Sequence, residues 1–547
     1  MTLANRWMFE CKSSHYGTCK DEVRKLSMGL NVIDCATRTL CVLPENRPYV
    51  CLSYVWGLAS SNDSSQVDLH DLPRTMKDAI HVTVRLGMRY LWIDRYCIDQ
   101  ANAAEKHDAI SNMGVIYQGA AVTIIAAAGV GPHAGLPGIG ETPLIEEDVM
   151  SINGKPHAAF PNPRLEISEA TWSTRGWTYQ EMLLSRRRLV FTPSQLYFQC
   201  NDMHCGNFML ARFAEATGSS APARAFPQMQ NASAENYIFD RLQEYYIRRL
   251  SYPSDIVKAF MGVIGAFSLS RHDRNLRASQ FYGIPILYFD ADEADRKYPV
   301  ANRPAMPRTT FLTGLAWSIS GTEQWPLQTT NDDMFPSWTW ASVKSNRGDS
   351  DCGNLMFPIT SQSDYGSNTR VYMHHRSQGR RELRGHVDEW SRHEAYHPWI
   401  DLESWTAASA LIPEPGIGQL RSYPLSYRMS GFKGGTLSFD YGVQNQAVAT
   451  VTVVLLGGGF HLHTDPDVAI FLVLEDVGGG LHRRIGLYTS ARHEREFAMD
   501  RLAKMMTPRF AVQKRSASLD EQNRSEAARE RLVQEERTWQ RRVVRVI

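Results

Sequence analysis

Three short apolar segments separated by two amphipathic ones constrain the fold of this chain more than any other feature of its sequence. Tyr49–Tyr54, Tyr90–Ile93 and Val122–Ala127 are apolar runs whose length suits buried parallel strands. Between them, Leu72–Leu86 and Ala104–Gly119 carry apolar residues at helical spacing. Strand, helix, strand, helix, strand is the pattern of a doubly wound sheet. We therefore predict an α/β fold with a parallel sheet in the N-terminal part of the chain.

Segments on either side of this pattern extend the prediction. Asn31–Asp34 and Thr39–Leu43 are predicted to be short strands. A further helix is predicted to begin near Ser173 and to continue through Glu181. Leu189–Phe198 alternates apolar and polar residues, which predicts a single strand.

Changes in composition divide the chain into an N-terminal α/β domain and a mixed α+β C-terminal region. Residues 218–233 are rich in Ala, Ser and Pro, as is typical of a linker, and residues from 514 onward are densely charged. We expect the charged tail to be a solvated helix or a disordered segment. The predicted segments are an α/β domain with an N-terminal β-extension (1–205), a linker (206–236), a helical and tryptophan-rich region (237–350), an irregular insert (351–430), a β-rich region (431–495) and a charged C-terminal tail (496–547).

The charge balance and the cysteines restrict the partners and the compartment. Lys and Arg together number 59, against 58 for Asp and Glu. A protein that binds nucleic-acid phosphates normally has an excess of basic residues, so we expect no nucleic-acid partner.

The nine cysteines are scattered and odd in number, which is typical of free thiols in a reducing compartment. No secretory signal is evident, and the longest apolar run, residues 447–460, is too short for a membrane-spanning helix, so we expect a soluble, cytoplasmic protein.

Two groups of metal-ligand residue types lack part of what a zinc site requires. The segment His393–His397 (HEAYH) matches the H-E-x-x-H zinc-protease pattern, which requires both histidines on one face of a helix. Pro398 follows directly and disfavours helical geometry at the last residue of that segment. Cys200, His204 and Cys205 have no second pair at zinc-finger spacing, which favours buried thiols. The sequence therefore predicts no metal site.

Three motifs in the N-terminal domain carry a family resemblance. They are Tyr49–Gly57 (YVCLSYVWG), Tyr90–Gln100 (YLWIDRYCIDQ) and Arg175–Glu181 (RGWTYQE). In their residues, order and spacing they resemble the motifs of the fungal heterokaryon incompatibility (HET) domain family. The resemblance implies an effector that triggers programmed cell death in non-self recognition. It also implies self-association through the HET domain and a recognition partner protein that the sequence does not identify.

Leu52–Tyr54 (LSY) and Trp177–Glu181 (WTYQE) carry a second, more distant resemblance. They are similar to the end of the first strand and to the W-C-x-x-E motif of TIR domains, although Thr178 stands in place of the cysteine. TIR domains are flavodoxin-like and in several lineages cleave NAD. The resemblance implies a flavodoxin-like sheet and Glu181 as the catalytic residue. It also implies NAD as a substrate, with no cofactor required.

The candidate site lies where the predicted sheet ends, because ligands of doubly wound sheets bind at the carboxyl ends of the strands. A carboxylate there can stabilise the positive charge that develops on a ribose when its bond to nicotinamide breaks, which is the role expected of Glu181. A hydroxyl group and backbone N–H groups can hold phosphate or ribose oxygens, and a tryptophan can stack on the pyridinium ring. The binding residues expected at this edge are Ser53, Tyr54, Trp56, Asp94 and Trp177.

Each of these residues also has a structural interpretation. The tryptophans can simply fill the core, and Asp94 can cap a turn. Glu181 can pair with an arginine of the run Arg186–Arg188, although we expect that run to form an exposed face. The function is therefore open between two classes. One is an enzyme that cleaves NAD at Glu181, and the other is a non-enzymatic interaction module that nucleates a death complex.

Overall fold

The computed structural model describes residues 1–15, 19–20, 29–57, 69, 71–145, 149–158, 161–206, 224–227, 234–267, 276–289, 306–320, 334–343, 354–357, 369–383, 393–414, 426–429, 436–439, 449–458, 469–489 and 540–547. Of the predicted linker at 206–236, the structure describes only residues 206, 224–227 and 234–236, and the charged tail up to residue 539 lies outside the described residues. The chain forms two compact units, Met1–Ala232 with Arg248–His272, and Ser233–Ile247 with Asp273–Ile547. The first unit thus extends beyond the predicted domain 1–205, on to Ala232 and again over Arg248–His272.

The helices and strands of the described residues are as follows. The α-helices are α1 (Thr2–Ser14), α2 (Arg74–Arg85), α3 (Asp94–Cys97), α4 (Ala103–Gly119), α5 (Pro163–Glu169), α6 (Gly176–Leu184), α7 (Ala234–Tyr246), α8 (Lys258–Phe267) and α9 (Met306–Leu315). Short 3-10 helices lie at Thr171–Thr174, Pro253–Asp255, Trp340–Ser342 and His393–Ala395. The strands are β1 (Asn31–Asp34), β2 (Thr39–Val42), β3 (Tyr49–Ser53), β4 (Tyr90–Trp92), β5 (Val122–Ala126), β6 (Val149–Ile152), β7 (Lys155–Ala158), β8 (Arg187–Phe191), β9 (Leu196–Cys200), β10 (His204–Gly206), β11 (Leu276–Phe281), β12 (Ile284–Phe289), β13 (Ser318–Ser320), β14 (Asn354–Met356), β15 (Arg370–His375), β16 (Gly379–Glu382), β17 (Tyr396–Glu414), β18 (Ser426–Met429), β19 (Thr436–Phe439), β20 (Ala449–Gly458), β21 (Ala469–Gly478), β22 (Leu481–Thr489) and β23 (Gln540–Val546). None of these helices, which cover the described residues only, is long and apolar enough to cross a membrane.

The main sheet of the first unit has a parallel centre flanked by antiparallel strands. Its eight strands lie in the order β10-β9-β8-β5-β3-β4-β1-β2. The pairs β3–β4, β3–β5 and β5–β8 are parallel. Numbered among themselves along the chain, the four parallel strands have the order 2-1-3-4, which is the flavodoxin-like doubly wound order. The predicted α/β fold class is therefore confirmed.

Periodicity located most elements of this sheet, with one error. The five elements from β3 to β5 that the apolar pattern predicts are present with nearly the predicted bounds. The prediction of one strand over Leu189–Phe198 is wrong, because the chain reverses between β8 and β9. At that turn the Thr192 N–H donates to Gln195 O at 3.0 Å. Thr192–Gln195 (TPSQ) is a polar segment that contains a proline, which is the turn signal that the prediction of a single strand overlooked.

A nine-stranded sheet dominates the second unit, with the path β16-β15-β17-β20-β21-β22-β19 and with β18 and β23 paired to it. Its pairs are antiparallel apart from β22–β23. Strands β14 to β18 lie in residues 351–430, where composition predicts an irregular insert. In β15, polar residues such as Arg370 and His374 alternate with the buried Val371 and Met373, so that the segment reads as polar although it is a strand. The expectation that the charged tail is a solvated helix or a disordered segment is wrong for its last residues, which form β23.

The H-E-x-x-H match does not form a helical zinc site. Its first residues form the 3-10 helix His393–Ala395, and β17 begins at Tyr396, so the second histidine, His397, belongs to a strand. The two histidines therefore do not lie one α-helical turn apart, as the zinc-protease mechanism requires.

Candidate functional site

A buried hydrogen-bond network lies at the carboxyl end of β3, the first parallel strand. The Ser53 hydroxyl donates to Glu181 Oε2 at 2.5 Å and accepts a hydrogen bond from the Trp172 indole N–H at 2.7 Å. All three side chains are buried, and Glu181 is 4% exposed. Strand β3 has β4 on one side and β5 on the other, so this network lies at the switch point of the doubly wound sheet, where ligands bind in such folds.

The environment of Glu181 favours its neutral, protonated form. Burial raises its pKa to about 8, and the negative charge of Asp94 acts in the same direction. Hydrogen bonds from Ser53 and Tyr117 oppose the shift without cancelling it. The Tyr117 hydroxyl also lies 3.3 Å from Leu52 O, at the end of β3. Glu181 is therefore mostly protonated at pH 7.

A second hydrogen-bonded pair, Trp56 and Asp94, is more exposed than Ser53 and Glu181. It joins the motif Tyr49–Gly57 to the motif Tyr90–Gln100. The Trp56 indole N–H donates to Asp94 Oδ2 at 2.8 Å, and the Arg95 backbone N–H donates to Asp94 Oδ1 at 2.7 Å. Burial raises the pKa of Asp94 to about 6, so this carboxyl group is mostly ionised at pH 7. The Arg95 guanidinium lies over the Trp56 ring, 5.8 Å from its centroid, and both side chains are partly exposed.

Close backbone contacts fix the start of α6 and hence the position of Glu181. The Gly176 N–H donates to Arg249 O at 2.7 Å, and a Cβ atom at Gly176 would lie 2.5 Å from Leu250 Cδ2. Glycine therefore lets the segment around Arg249 approach the helix start. The Thr178 hydroxyl donates to Trp172 O at 2.7 Å, which ties α6 to the 3-10 helix before it.

Four of the six predicted site residues form these two pairs, and the other two lie apart from them. Tyr54 is 4% exposed, and within the described residues its hydroxyl has no hydrogen-bond partner. Trp177 is partly buried and packs against the core of the first unit. The structure therefore brings Ser53 to Glu181 and Trp56 to Asp94.

The expectation that Arg186–Arg188 forms an exposed face is wrong. The three arginines are 9%, 1% and 2% exposed, in chain order. Arg188 donates to Met182 O and Leu183 O, near the end of α6, where the last carbonyl groups lack partners within the helix. Guanidinium groups tolerate burial here because they satisfy main-chain carbonyls.

Sequence reasoning missed two members of the network, Trp172 and Tyr117. Trp172 lies in a 3-10 turn, where no periodicity shows which way a side chain faces. Tyr117 lies on the apolar face of α4 and gives the signal of an ordinary core residue. The polar ends of both side chains are the signal that could have identified them, because a buried indole N–H or phenol requires a partner.

The arrangement combines two carboxyl groups of unlike protonation whose charges influence each other. Asp94 is mostly ionised and Glu181 mostly neutral at pH 7, and each raised pKa has burial as its largest cause. Carboxyl groups with separated pKa values are suited to distinct acid, base or electrostatic roles. The Arg175 charge lowers the pKa of both carboxyl groups, so a cation also lies near them.

Comparisons with known proteins agree with the motif resemblance. Residues 49–181 match the family described as heterokaryon incompatibility protein (HET). The chain is 26% identical over 153 residues to vegetative incompatibility protein HET-E-1 of Podospora anserina, an alignment that covers 26% of this chain and 10% of that protein. No solved structure matches the chain significantly. Residues 49–181 of the first unit are therefore similar to the heterokaryon incompatibility family, in agreement with the resemblance of the three motifs.

Proposed function

We propose that this chain is a heterokaryon incompatibility effector whose HET domain hydrolyses the bond between nicotinamide and ribose in NAD. The observation that carries the chemical part is the pair of carboxyl groups, Glu181 and Asp94, at the switch point of a doubly wound sheet. The name of the relative HET-E-1 supports the incompatibility role. The resemblance of the Trp177–Glu181 motif to that of TIR domains supports NAD as the substrate.

The proposed reaction needs few groups, because nicotinamide leaves as a neutral molecule. The pyridinium cation of bound NAD lowers the pKa of Glu181 by attraction, so that binding ionises this carboxyl group. The carboxylate then stabilises the positive charge on the ribose as the N-glycosidic bond breaks. Water forms the new bond to C1′, a carboxylate takes up its proton, and the products are nicotinamide, ADP-ribose and a proton. Trp56 offers a partly exposed ring for stacking on the pyridinium.

The site must open before NAD can reach Glu181, since only 4% of that residue is exposed. Trp56, Asp94 and Arg175 are partly exposed and form the outer side of the site. Self-association of HET domains would supply the opening, so that an isolated chain is inactive. Ser53 is 1% exposed and acts in this proposal as a positioning residue, which holds the Glu181 carboxyl group.

The substitution Glu181→Gln tests this proposal. The amide is nearly isosteric and can accept the Ser53 hydrogen bond, but it cannot ionise. We expect the full chain, at high concentration with a crowding agent, to release nicotinamide from NAD, and Glu181→Gln to lower that rate by about 10²-fold or more. Glu169→Gln, a change of an exposed glutamate on α5, is the matched control and should keep the wild-type rate. Absence of nicotinamide release by the wild-type chain under these conditions would contradict the proposal.

A non-enzymatic interaction module is the second candidate, and the burial of Glu181 favours it. In that case the neutral Glu181 carboxyl group serves to tie α6 to the end of β3. Expression in fungal cells distinguishes the two candidates. Toxicity that persists in Glu181→Gln, without a fall in cellular NAD, would support the module, whereas loss of both toxicity and NAD depletion would support the enzyme.

A further inference from the structure

Three cysteines and one histidine from distant parts of the chain converge on one point in the first unit. Cys11 lies in the last turn of α1, His15 follows the end of that helix, and Cys200 is the last residue of β9. The Sγ atoms of these cysteines and of Cys19, together with a ring nitrogen of His15, all lie within 4.8 Å of one another. Cys200 Sγ and His15 Nδ1 are 3.4 Å apart.

These distances suit a tetrahedral zinc site. With Zn–S bonds of about 2.3 Å and Zn–N bonds of about 2.0 Å, the ligand atoms of a tetrahedron lie roughly 3.5 to 3.8 Å apart. Only small side-chain movements would therefore be needed for an ion to occupy the centre. Three thiolates and one imidazole form a ligand set of closed structural zinc sites, and soft thiolates disfavour Mg²⁺ and Ca²⁺.

Two hydrogen-bond donors reach sulfur atoms of the cluster. The Arg187 Nε–H group donates to Cys11 Sγ at 3.1 Å, and the Met203 backbone N–H donates to Cys200 Sγ at 3.3 Å. Donors of this kind stabilise and orient metal-bound sulfur. Three thiolates and one Zn²⁺ leave one negative charge. The Arg187 guanidinium, itself 1% exposed, lies beside this charge, and the Asp202 carboxylate also lies near, 3.8 Å from Cys19 Sγ.

We propose that Cys11, His15, Cys19 and Cys200 bind a structural Zn²⁺ ion. The ion joins α1 and the segment that follows it to the edge of the sheet at β9. All three cysteines are at most 1% exposed, as expected of a closed site with no position for substrate. This proposal is independent of NAD cleavage, because none of its ligands takes part in the Glu181 network.

The proposed site departs from the prediction of no metal, which considered Cys200 together with His204 and Cys205. The structure directs the His204 ring elsewhere, with Nδ1 3.2 Å from the Tyr197 hydroxyl. The partners of Cys200 lie near the N-terminus instead, and no local spacing rule links residues so far apart in the sequence.

A disulfide is the competing chemistry for this cluster. It would link two of the three cysteines and would leave the third thiol and the imidazole without a role. Four metal-ligand groups around a single centre instead match the full coordination number of zinc. The two possibilities differ in metal content and in the number of free thiols.

Metal analysis of the purified full chain tests the proposal. Protein prepared without chelators from zinc-supplemented medium should contain about one zinc per chain by mass spectrometry of the metal. Cys11→Ser and Cys200→Ser should lose most of this zinc. Cys205→Ser is the matched control, because Cys205 is buried in the neighbouring strand β10 but lies outside the cluster, and it should keep the zinc.

Two measurements on the wild-type chain test the zinc site without depending on whether the variants fold. A mercurial reagent that modifies thiols should release the zinc to a metal-sensitive dye, and Co²⁺ substitution should give the strong visible bands of tetrahedral thiolate coordination. The proposal is overturned if the reduced wild-type chain contains no zinc and takes up none on dialysis against Zn²⁺. A disulfide between two cluster cysteines, found by peptide mapping after alkylation in cells, would overturn it equally.

Discussion

Ser53 and Glu181 form a contact that the sequence could predict only in part. The motifs and the expected strand order place both residues at one edge of the sheet, and the structure joins them by a hydrogen bond. The sequence could not predict that Glu181 is buried, because its burial depends on Trp172 and on the helices that pack against α6. Local patterns identify which residues reach an edge, whereas exposure is decided by contacts between distant segments.

Glu181 should make the first unit less stable as the pH rises through neutrality. Its pKa is about 8 in the folded chain against an ordinary value of 4.5, so the folded state binds more protons than the unfolded state between these values. The stability that it contributes is complete below the lower value and is lost as the pH approaches the higher one. The loss is at most about 1.4 kcal/mol per pH unit. Urea denaturation at several pH values should show this slope.

The variant Glu181→Gln isolates the contribution of this one group. Its free energy of unfolding should depend less on pH than that of the wild-type chain over the same window. Glu169→Gln, with its exposed side chain, should follow the wild type. Identical slopes for the wild type and Glu181→Gln would show that burial does not raise the pKa of Glu181.

Helices α4 and α8 pack closely, although they are far apart in the sequence. A Cβ atom at Gly114 would lie 2.9 Å from Gly262 Cα, so both helices use glycine where they meet. The Gly262 N–H also donates to Gln180 Oε1 on α6 at 3.2 Å. Periodicity predicted α4, and α8 lies in the region 237–350 that was expected to be partly helical. The sequence could not predict their contact, because a glycine adds nothing to an apolar pattern.

Two substitutions on α8 distinguish the effect of this helix contact on stability from the effect of glycine's low helix propensity. Gly262→Ala should destabilise the first unit by about 1–3 kcal/mol, since its methyl group would lie 2.5 Å from Gln180 Oε1 on α6 and 3.0 Å from Gly114 Cα on α4. Gly265→Ala should instead stabilise it by about 0.5–1 kcal/mol, because no atom lies within 4 Å of a Cβ at this exposed position. Chemical denaturation of both variants measures the difference. Equal effects would contradict the close packing of α4 and α8.

At the scale of the whole molecule, neither compact unit is a continuous stretch of chain. Residues 233–247 belong to the second unit and residues 248–272 to the first. The second unit also includes β23, which pairs with β17 and β22. Composition predicted a solvated or disordered tail here, because β23 is rich in arginine. Its Val544 and Val546 side chains are nevertheless buried, and Arg545 forms an ion pair with Asp401 at 2.8 Å.

Two neighbouring valines test whether β23 is an integral strand of the second unit. Val544 is 4% exposed and Val543 is 51% exposed, since successive residues of a strand face opposite sides. Val544→Asp should destabilise the unit by about 3 kcal/mol or more, because it buries a charge. Val543→Asp should cost no more than about 1 kcal/mol. Thermal unfolding that responds equally to both changes would contradict this strand assignment.

Helix α1 packs against a strand that is synthesised much later. The rings of Trp7 and Phe198 stack with centroids 6.1 Å apart, and Cys11 lies beside Cys200. As the ribosome extends the chain, α1 emerges early, and its apolar side has no lasting cover until β9 has left the exit tunnel. During that interval the helix is a natural binding segment for chaperones. A nascent chain that stalls before Leu196 would therefore leave this side of α1 without its cover from β9.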